Sequence, residues 1–314
     1  MGKKMVALLV CIMLLSAVVV GCSQPQQFVN IATGGTAGTY FPLGGAFAEI
    51  WNKNIKNVNA TAQSTGASTA NVNMLKEGKV EVIFVQNDIA YYAATGTEMF
   101  KDAKYEDIKG LVTLYPETIQ IVARADKNIA TIADLKGKKI AVGAAGSGTV
   151  ANARQILEAA DITFEDIKAQ YLSFAEAANN IKDGNIDAAF LTAGYPTAAV
   201  QDIAAQQKIV IVQVDDAIAD KLIQKYPFYT KQTIVANAYN GVVTDSKTVA
   251  VKAMLAVSSK MKDDLAYQLV RTLYANTDRI KAAHKVGEQI TKATGKDGMP
   301  IKLHPGAEKA FSEK

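Results

Sequence analysis

Residues 31–43 read IATGGTAGTYFPL, and the organisation of the chain can be worked outward from them. The apolar run FVNIA (28–32) ends here in glycines and threonines, after which Phe47, Ile50 and Trp51 fall on one face of a helix. The pattern predicts a strand, a tight loop and a helix start. The glycines permit backbone angles closed to other residues, while Thr33, Thr36 and Thr39 set hydroxyls beside the free amides of a helix N-terminus. Such a place favours anions. The stretch KKIAVGAAGSGTVANARQIL (138–157) repeats the plan with a strand, a loop from Gly143 to Thr149, and a helix whose Val150, Ala153, Ile156 and Leu157 turn inward. The first loop lacks G-x-G-x-x-G spacing and the second lacks the Lys-Ser/Thr pair of a P-loop, which argues against a nucleotide.

The repetition extends beyond the loops. KEGKVEVIFVQ (76–86) and KDGNIDAAFLT (182–192) align without gaps, pairing Lys76 with Lys182, Gly78 with Gly184, Glu81 with Asp187 and Phe84 with Phe190. Each half runs strand, Gly loop, helix, Ser-rich helix start, helix, Gly and strand, which predicts two α/β lobes of like design. Between them TIQIVAR (118–124) is expected to cross from one lobe to the other, and TVAVKAMLAVS (248–258) to return. Thr131 and Asp134 have capping-box spacing. The aromatic stretch YPFYTKQTIVANAYNG (226–241) suits either a cleft lining or a cover for the sheet. KDDLAYQLVRTLYANTDRIKAA (262–283) is one amphipathic helix with Leu265, Leu269, Leu273 and Ile280 facing the core. The expected division is a leader at 1–21, a tether at 22–27, lobe 1 at 28–118, lobe 2 at 119–246 and a return to lobe 1 at 247–314.

Composition sets the class. With 314 residues, 49% hydrophobic and 20% charged, the chain is long enough for two domains and is not of disordered type. Its net charge of +4 includes Lys3 and Lys4, and no basic run interleaves with aromatics, so nucleic acid is not an expected partner. Met1–Lys4 followed by the apolar run Met5–Val20 reads as a signal peptide, with a short membrane anchor as the alternative. Val19-Val20-Gly21-Cys22 resembles the lipobox of bacterial lipoproteins, in which Cys22 is acylated and anchors the mature protein to membrane lipid. The remaining cysteine, Cys11, lies inside the leader, so an internal disulfide, a thiolate metal site and a cysteine nucleophile are all excluded from the mature chain. His284 and His304 are far apart and outside any H-E-x-x-H pattern, so no metal is expected and both are surface or structural residues. No cofactor is expected.

Several long motifs in order carry a family resemblance: ATGGTAGTYFPLG (32–44), STGAS (64–68), VQND (85–88), DLKGKKIAVGAAGSGT (134–149), DGNIDAAFLTAGYPT (183–197) and KLHPGA (302–307). Together they resemble the TAXI family, the solute-binding proteins of one branch of tripartite ATP-independent periplasmic (TRAP) transporters. Small departures are Ala37 for a usual glycine, Phe41 for a common tyrosine and Asn87 for a frequent serine. The resemblance implies a type II periplasmic-binding-protein fold, two α/β lobes joined by crossing hinge strands. It also implies a ligand such as glutamate or 2-oxoglutarate held between the lobes, and delivery to a TRAP membrane permease.

In the binding hypothesis that follows, a small carboxylate ligand docks against Thr33, Gly35, Thr36, Thr39 and Tyr40, with Ser64 nearby, while lobe 2 offers Ser147, Gly148 and Thr149. Gln86 and Asp88 from one strand end, with Thr192, Gly194 and Tyr195 from its counterpart, would fix orientation. Asp88 either receives an amino group or caps the next helix. Glu117, near the crossing, fits a solvated hinge carboxylate better than a ligand contact. An enzyme is the rival class, but no triad spacing or cysteine–histidine cluster is present. A binding subunit of an ATP-driven importer and a ligand sensor are further readings of the same fold.

Overall fold

A computed structural model describes residues 26–313. The leader at 1–21 and Cys22 lie outside the described residues. In chain order the elements are β1 (Gln27–Ala32), α1 (Tyr40–Asn54), β2 (Val58–Gln63), α2 (Ser68–Lys76), β3 (Val82–Gln86), α3 (Asn87–Thr95) and the long β4 (Ile108–Arg124). There follow β5 (Lys139–Ala141), α4 (Gly148–Ala159), β6 (Lys168–Gln170), α5 (Phe174–Lys182), β7 (Ala188–Ala193), α6 (Ala198–Gln206), β8 (Ile209–Val212), α7 (Asp216–Lys225) and β9 (Thr230–Ile234). The chain closes with β10 (Ser246–Ser258), α8 (Asp263–Ala275), α9 (Thr277–Ala283) and α10 (Pro305–Ser312).

Two strands organise the sheet. β4 and β10 run antiparallel to each other along most of their length, and each serves both halves. In the first half the order is β2-β1-β3-β10-β4, and in the second β6-β5-β7-β4 with β8 also against β4. Each half therefore arranges its own strands as second, first, third, crossing and fourth. The repeat is also visible in side chains. Glu81 Oε2 accepts from the Asn30 amide of β1 at 2.7 Å, and Asp187 Oδ2 accepts from the Lys139 amide of β5 at 2.9 Å. Gly78 and Gly184, which end α2 and follow α5, share a left-handed φ of +69° and +78°, a conformation that costs glycine nothing.

The apolar cores follow from the same layout. Phe47, Trp51, Phe84 and Leu269 pack beneath the first sheet, and the Trp51 indole N–H donates to the Leu269 carbonyl at 3.1 Å. Ile181, Leu191, Val200 and Ile203 fill one face of the second half. Full burial of such side chains stabilises by roughly 1.5–3 kcal/mol each.

VNATAQ (58–63), a stretch with little apolar alternation, is an edge strand parallel to β1. Two expectations are corrected. The expected single helix over 262–283 breaks at Asn276 into α8 and α9. In the loop after β1 no glycine has a positive φ, whereas Gly143 (+102°) and Gly146 (+81°) in the second loop do. Nor does close approach require glycine in the first loop, since a Cβ would meet only ordinary contacts at Gly34 and Gly38 and open space at Gly35. The capping box of Thr131 and Asp134 is present. His304 is buried and structural, its Nδ1 accepting from the Gly306 amide that opens α10.

Candidate functional site

The two glycine loops meet. Between the halves lies a cavity of about 60 Å³, lined by Gly35, Thr39 and Tyr40 from the first loop and by Ser147, Gly148 and Thr149 from the second. Gln86 and Thr192, at the C-terminal ends of β3 and β7, complete the part foreseen in the sequence. This volume holds on the order of five waters, which suits a small metabolite and is too tight for a nucleotide or peptide. A broader groove of about 820 Å³ runs past Phe28, Lys76 and Lys262 on the outer edge of the first half. It has none of the convergent buried polar groups of a built site.

Other expected residues stand outside the lining. Thr33 is buried within its lobe and donates to the Gln63 carbonyl at 2.7 Å, while Thr36 is exposed. Ser64, also exposed, donates to the Gly34 carbonyl at 2.9 Å. Gly194 is one layer behind, where its carbonyl accepts from Thr39 Oγ1 at 3.1 Å. Tyr195 turns away to donate to the Thr233 carbonyl at 2.9 Å. Asp88 belongs to a separate buried network: Asn152 Nδ2 donates to it at 3.2 Å and to Tyr229 Oη at 2.8 Å, Tyr229 donates to Gln155 Oε1 at 2.6 Å, and Gln155 Nε2 donates to Tyr92 Oη at 3.1 Å. Its Oδ1 accepts from the amide of Ile89 at 2.9 Å. Asn87 is likewise structural, bonded to Gly298 and Lys252.

The structure adds Ser68, Ser173, Phe174 and Glu117 to the lining. Glu117 corrects the expectation of a solvated hinge carboxylate, since it is only 2% exposed and accepts from Tyr40 Oη at 2.7 Å. A lone acid between Pro116 and the apolar TIQIVA was the available signal, because a central strand buries both faces. For Ser173 the signal was its spacing to Glu176, a capping box that the structure contains.

Helix starts converge on the cavity. α1, α2 and α4 begin at Tyr40, Ser68 and Gly148, and none has a side-chain hydrogen bond from its N-cap residue. Uncapped first turns leave amide donors and the positive end of the helix dipole facing the same small space. Among the described residues, no lysine, arginine or histidine lines it. Three buried side-chain atoms on the lining have no partner: Gln86 Oε1, Ser147 Oγ and Thr192 Oγ1. Buried polar groups are normally paired, so three orphans on one small cavity mark a place arranged for something polar.

Electrostatics sharpen the picture. Burial pushes the Glu117 carboxyl up to about 8, offset in part by the Tyr40 hydroxyl and raised further by Asp88. Burial also pushes Asp88 up to about 7, despite the donors Ile89 N–H and Asn152. The lining therefore combines uncapped amides with one carboxyl that is mostly protonated at neutral pH.

The halves are in contact around the site. Ala70 N–H donates to the Gly146 carbonyl at 3.0 Å, and Ala199 N–H to the Ala37 carbonyl at 3.3 Å. Together with Thr39–Gly194 and Asp88–Asn152 they hold the lobes together as a closed clamp.

The NMT1-like family matches residues 31–314. Among solved structures, the periplasmic aliphatic sulphonate binding protein SsuA from Escherichia coli is 15% identical over 91% of this chain and 82% of its own, with a TM-score of 0.52. A protein from Bordetella bronchiseptica RB50 is 15% identical over 91% of this chain and 89% of its own, with a TM-score of 0.54. A Listeria monocytogenes chain assigned as an L-cystine ABC transporter is 15% identical over 85% of this chain and 99% of its own, with a TM-score of 0.51. At such identities the likeness speaks for the fold: a mixed α/β, two-lobe periplasmic-binding-protein fold with crossing strands, as the sequence led one to expect.

Proposed function

The chain belongs to the NMT1-like family, and from that premise we propose that it is an extracytoplasmic solute-binding protein that captures a small carboxylate between its lobes and releases it unaltered to a membrane transporter. The observation that carries this reading is the interlobe cavity, where Gln86 Oε1, Ser147 Oγ and Thr192 Oγ1 stand unpartnered opposite uncapped helix starts. Such a lining stabilises an anion through amides, hydroxyls and dipoles without a counter-charge. The proposed contacts are Gly35, Thr39, Tyr40, Gln86, Ser147, Gly148, Thr149 and Thr192. Thr33, Ser64, Asp88, Gly194 and Tyr195 hold the loops and strand ends in place from behind, and Thr36 lies on the rim.

Lobe 1 would comprise 28–118 and 247–314, and lobe 2 119–246. Closure joins the half-sites, so ligand shifts the population toward the closed form and the transporter reads that form. The motif set quoted above supports the TAXI type with a TRAP permease as partner, and Val19–Cys22 supports a lipid anchor at Cys22. An ATP-driven importer is the second reading, favoured by the fold shared with the L-cystine ABC transporter chain. A non-enzymatic role is consistent with a lining that holds no nucleophile–base pair.

The test is mass spectrometry of small molecules released from protein purified without refolding, followed by calorimetry against glutamate, glutamine and 2-oxoglutarate. A co-purifying carboxylate recovered intact is expected. Chemical conversion of that molecule by the purified protein would overturn the reading. Co-purification of the partner complex separates the two transporter types, since only the importer brings an ATPase.

A further inference from the structure

Resting on the binding reading above and deepening it, we propose that the ligand carries a single carboxylate and an uncharged, apolar far end, and that Phe174 is the residue that selects this far end against a second carboxylate.

Among the described residues four helices begin on the lining, and they are not alike. α1, α2 and α4 start at Tyr40, Ser68 and Gly148 with no side-chain hydrogen bond from the N-cap residue, which leaves first-turn amides for a ligand. The Ser147 hydroxyl at the start of α4, on a residue 7% exposed, has no partner either. α5 is the exception. Its N-cap Ser173 accepts from the Glu176 amide, and the Glu176 carboxylate accepts from the Ser173 amide at 2.8 Å and from the Ser173 hydroxyl at 2.7 Å. The positive end of this helix is met by an acid of its own, and beyond Ser173 what it adds to the lining is the ring of Phe174. That ring stands where the halves touch, since a Cβ on Gly38 would lie 3.4 Å from it, an ordinary contact distance. The starts of α2 and α4 come together at a different contact between the halves, where the Ala70 amide donates to the Gly146 carbonyl at 3.0 Å. Donors and ring thus occupy separate parts of the cavity, and a molecule that matches both is anionic at one end and apolar at the other.

Counting charge leads to the same ligand. A helix start is worth roughly half a positive charge, so three of them amount to about 1.5. No lysine, arginine or histidine among the described residues of the lining adds to that sum. It neutralises one carboxylate and falls short of two. Glu117, the one carboxylic acid on the described lining, brings no positive charge in either protonation state, and Gln86 Oε1, set against the first turn of α4, is a further acceptor. A second carboxylate would be buried without a counter-charge, which is costly. A methyl end in its place buries apolar surface against Phe174. The choice departs from glutamate and 2-oxoglutarate, which the motif resemblance implies.

The experiment is calorimetry of the intact protein with pairs that differ only at the far end, methyl against carboxylate: butyrate against succinate, 2-oxovalerate against 2-oxoglutarate, and L-norvaline against L-glutamate. In each pair that binds, the methyl member is expected to bind tighter by about tenfold or more. Phe174→Lys, which sets a cation beside the far end, should reverse that order. Phe174→Ala should weaken the methyl member severalfold and the carboxylate member less. A thermal melt reports whether each variant folds, and the wild-type pairs decide alone where one does not. Equal or tighter binding of the carboxylate members to the wild-type protein, or an order that a folded Phe174→Lys leaves unchanged, would overturn the proposal and leave the carboxylate-binding reading standing. Should a different carboxylate co-purify, one carboxyl group on it supports the proposal and two overturn it. If no member of any pair binds and no carboxylate co-purifies, both fall together.

Discussion

Ser147 and Asn71 are both buried polar residues beside the first glycine loop or its counterpart, yet their bonding differs. Ser147 is 7% exposed, sits at the N-cap of α4 without capping it, and its hydroxyl has no partner. Asn71 is fully buried, and its Nδ2 lies within bonding distance of the carbonyls of Thr33 and Phe84 at 2.6 and 2.8 Å. On the proposed reading the Ser147 hydroxyl is free for a ligand, whereas Asn71 ties β1 to β3. Ser147→Ala is expected to weaken ligand binding by about 1 kcal/mol or more, since a hydrogen bond to a charged group is lost. It should leave the ligand-free melting temperature close to that of the parent. Asn71→Ala should do the reverse, with a stability loss of about 1–3 kcal/mol from the stranded carbonyls. Calorimetry and chemical denaturation of the two variants side by side measure both quantities.

Among the elements, the first turn of α4 is pressed against the end of β3. A Cβ on Gly148 would fall 2.0 Å from Gln86 Oε1. The obstructing atom is the tip of a flexible side chain, so Gly148→Ala should fold and melt near the parent. The displaced amide would then occupy the cavity and keep the lobes apart. Ligand affinity should fall at least tenfold, and small-angle scattering should no longer show compaction when ligand is added. Gly148 was legible in the sequence because its loop is local: strand, glycine–hydroxyl turn and helix follow one another within twenty residues. Glu117 was not, because its burial is decided by strands far away, β10 on one side and the cavity on the other. β2 escaped notice for another reason. VNATAQ has little hydrophobic contrast and becomes a strand by borrowing the edge of β1. β4 was seen in part only, since Gly110 and Pro116 punctuate a run that the sheet nevertheless carries through for 17 residues.

For the whole molecule, the buried acids at the lobe junction link stability to pH. Asp88 (α3) and Asn152 (α4) join the two halves, with Tyr229 and Gln155 extending the network to Tyr92. Burial raises Asp88 to about 7 and Glu117 to about 8, against unfolded values of about 3.9 and 4.3. Between these limits the folded protein holds protons that the unfolded chain has already released. Their contribution is therefore complete below about pH 4 and is lost as pH rises through 7 to 8. For Asp88 alone the loss is on the order of 4 kcal/mol. The capping carboxylates Asp134, Asp166 and Glu176 act in the opposite sense. Backbone and side-chain donors hold each of them below its usual value, so their contribution fades only as pH falls through the acid range. The ligand-free melting temperature should accordingly drop between pH 5 and pH 8.5. Asp88→Asn should flatten the lower part of that slope, because the new amide can donate to Asn152 Oδ1, which has no partner, and carries no proton to lose. Glu117→Gln should flatten the upper part. A melting temperature that rises or stays level from pH 5 to 8.5 in the ligand-free protein would mean that these carboxyls are not the buried acids that join the lobes.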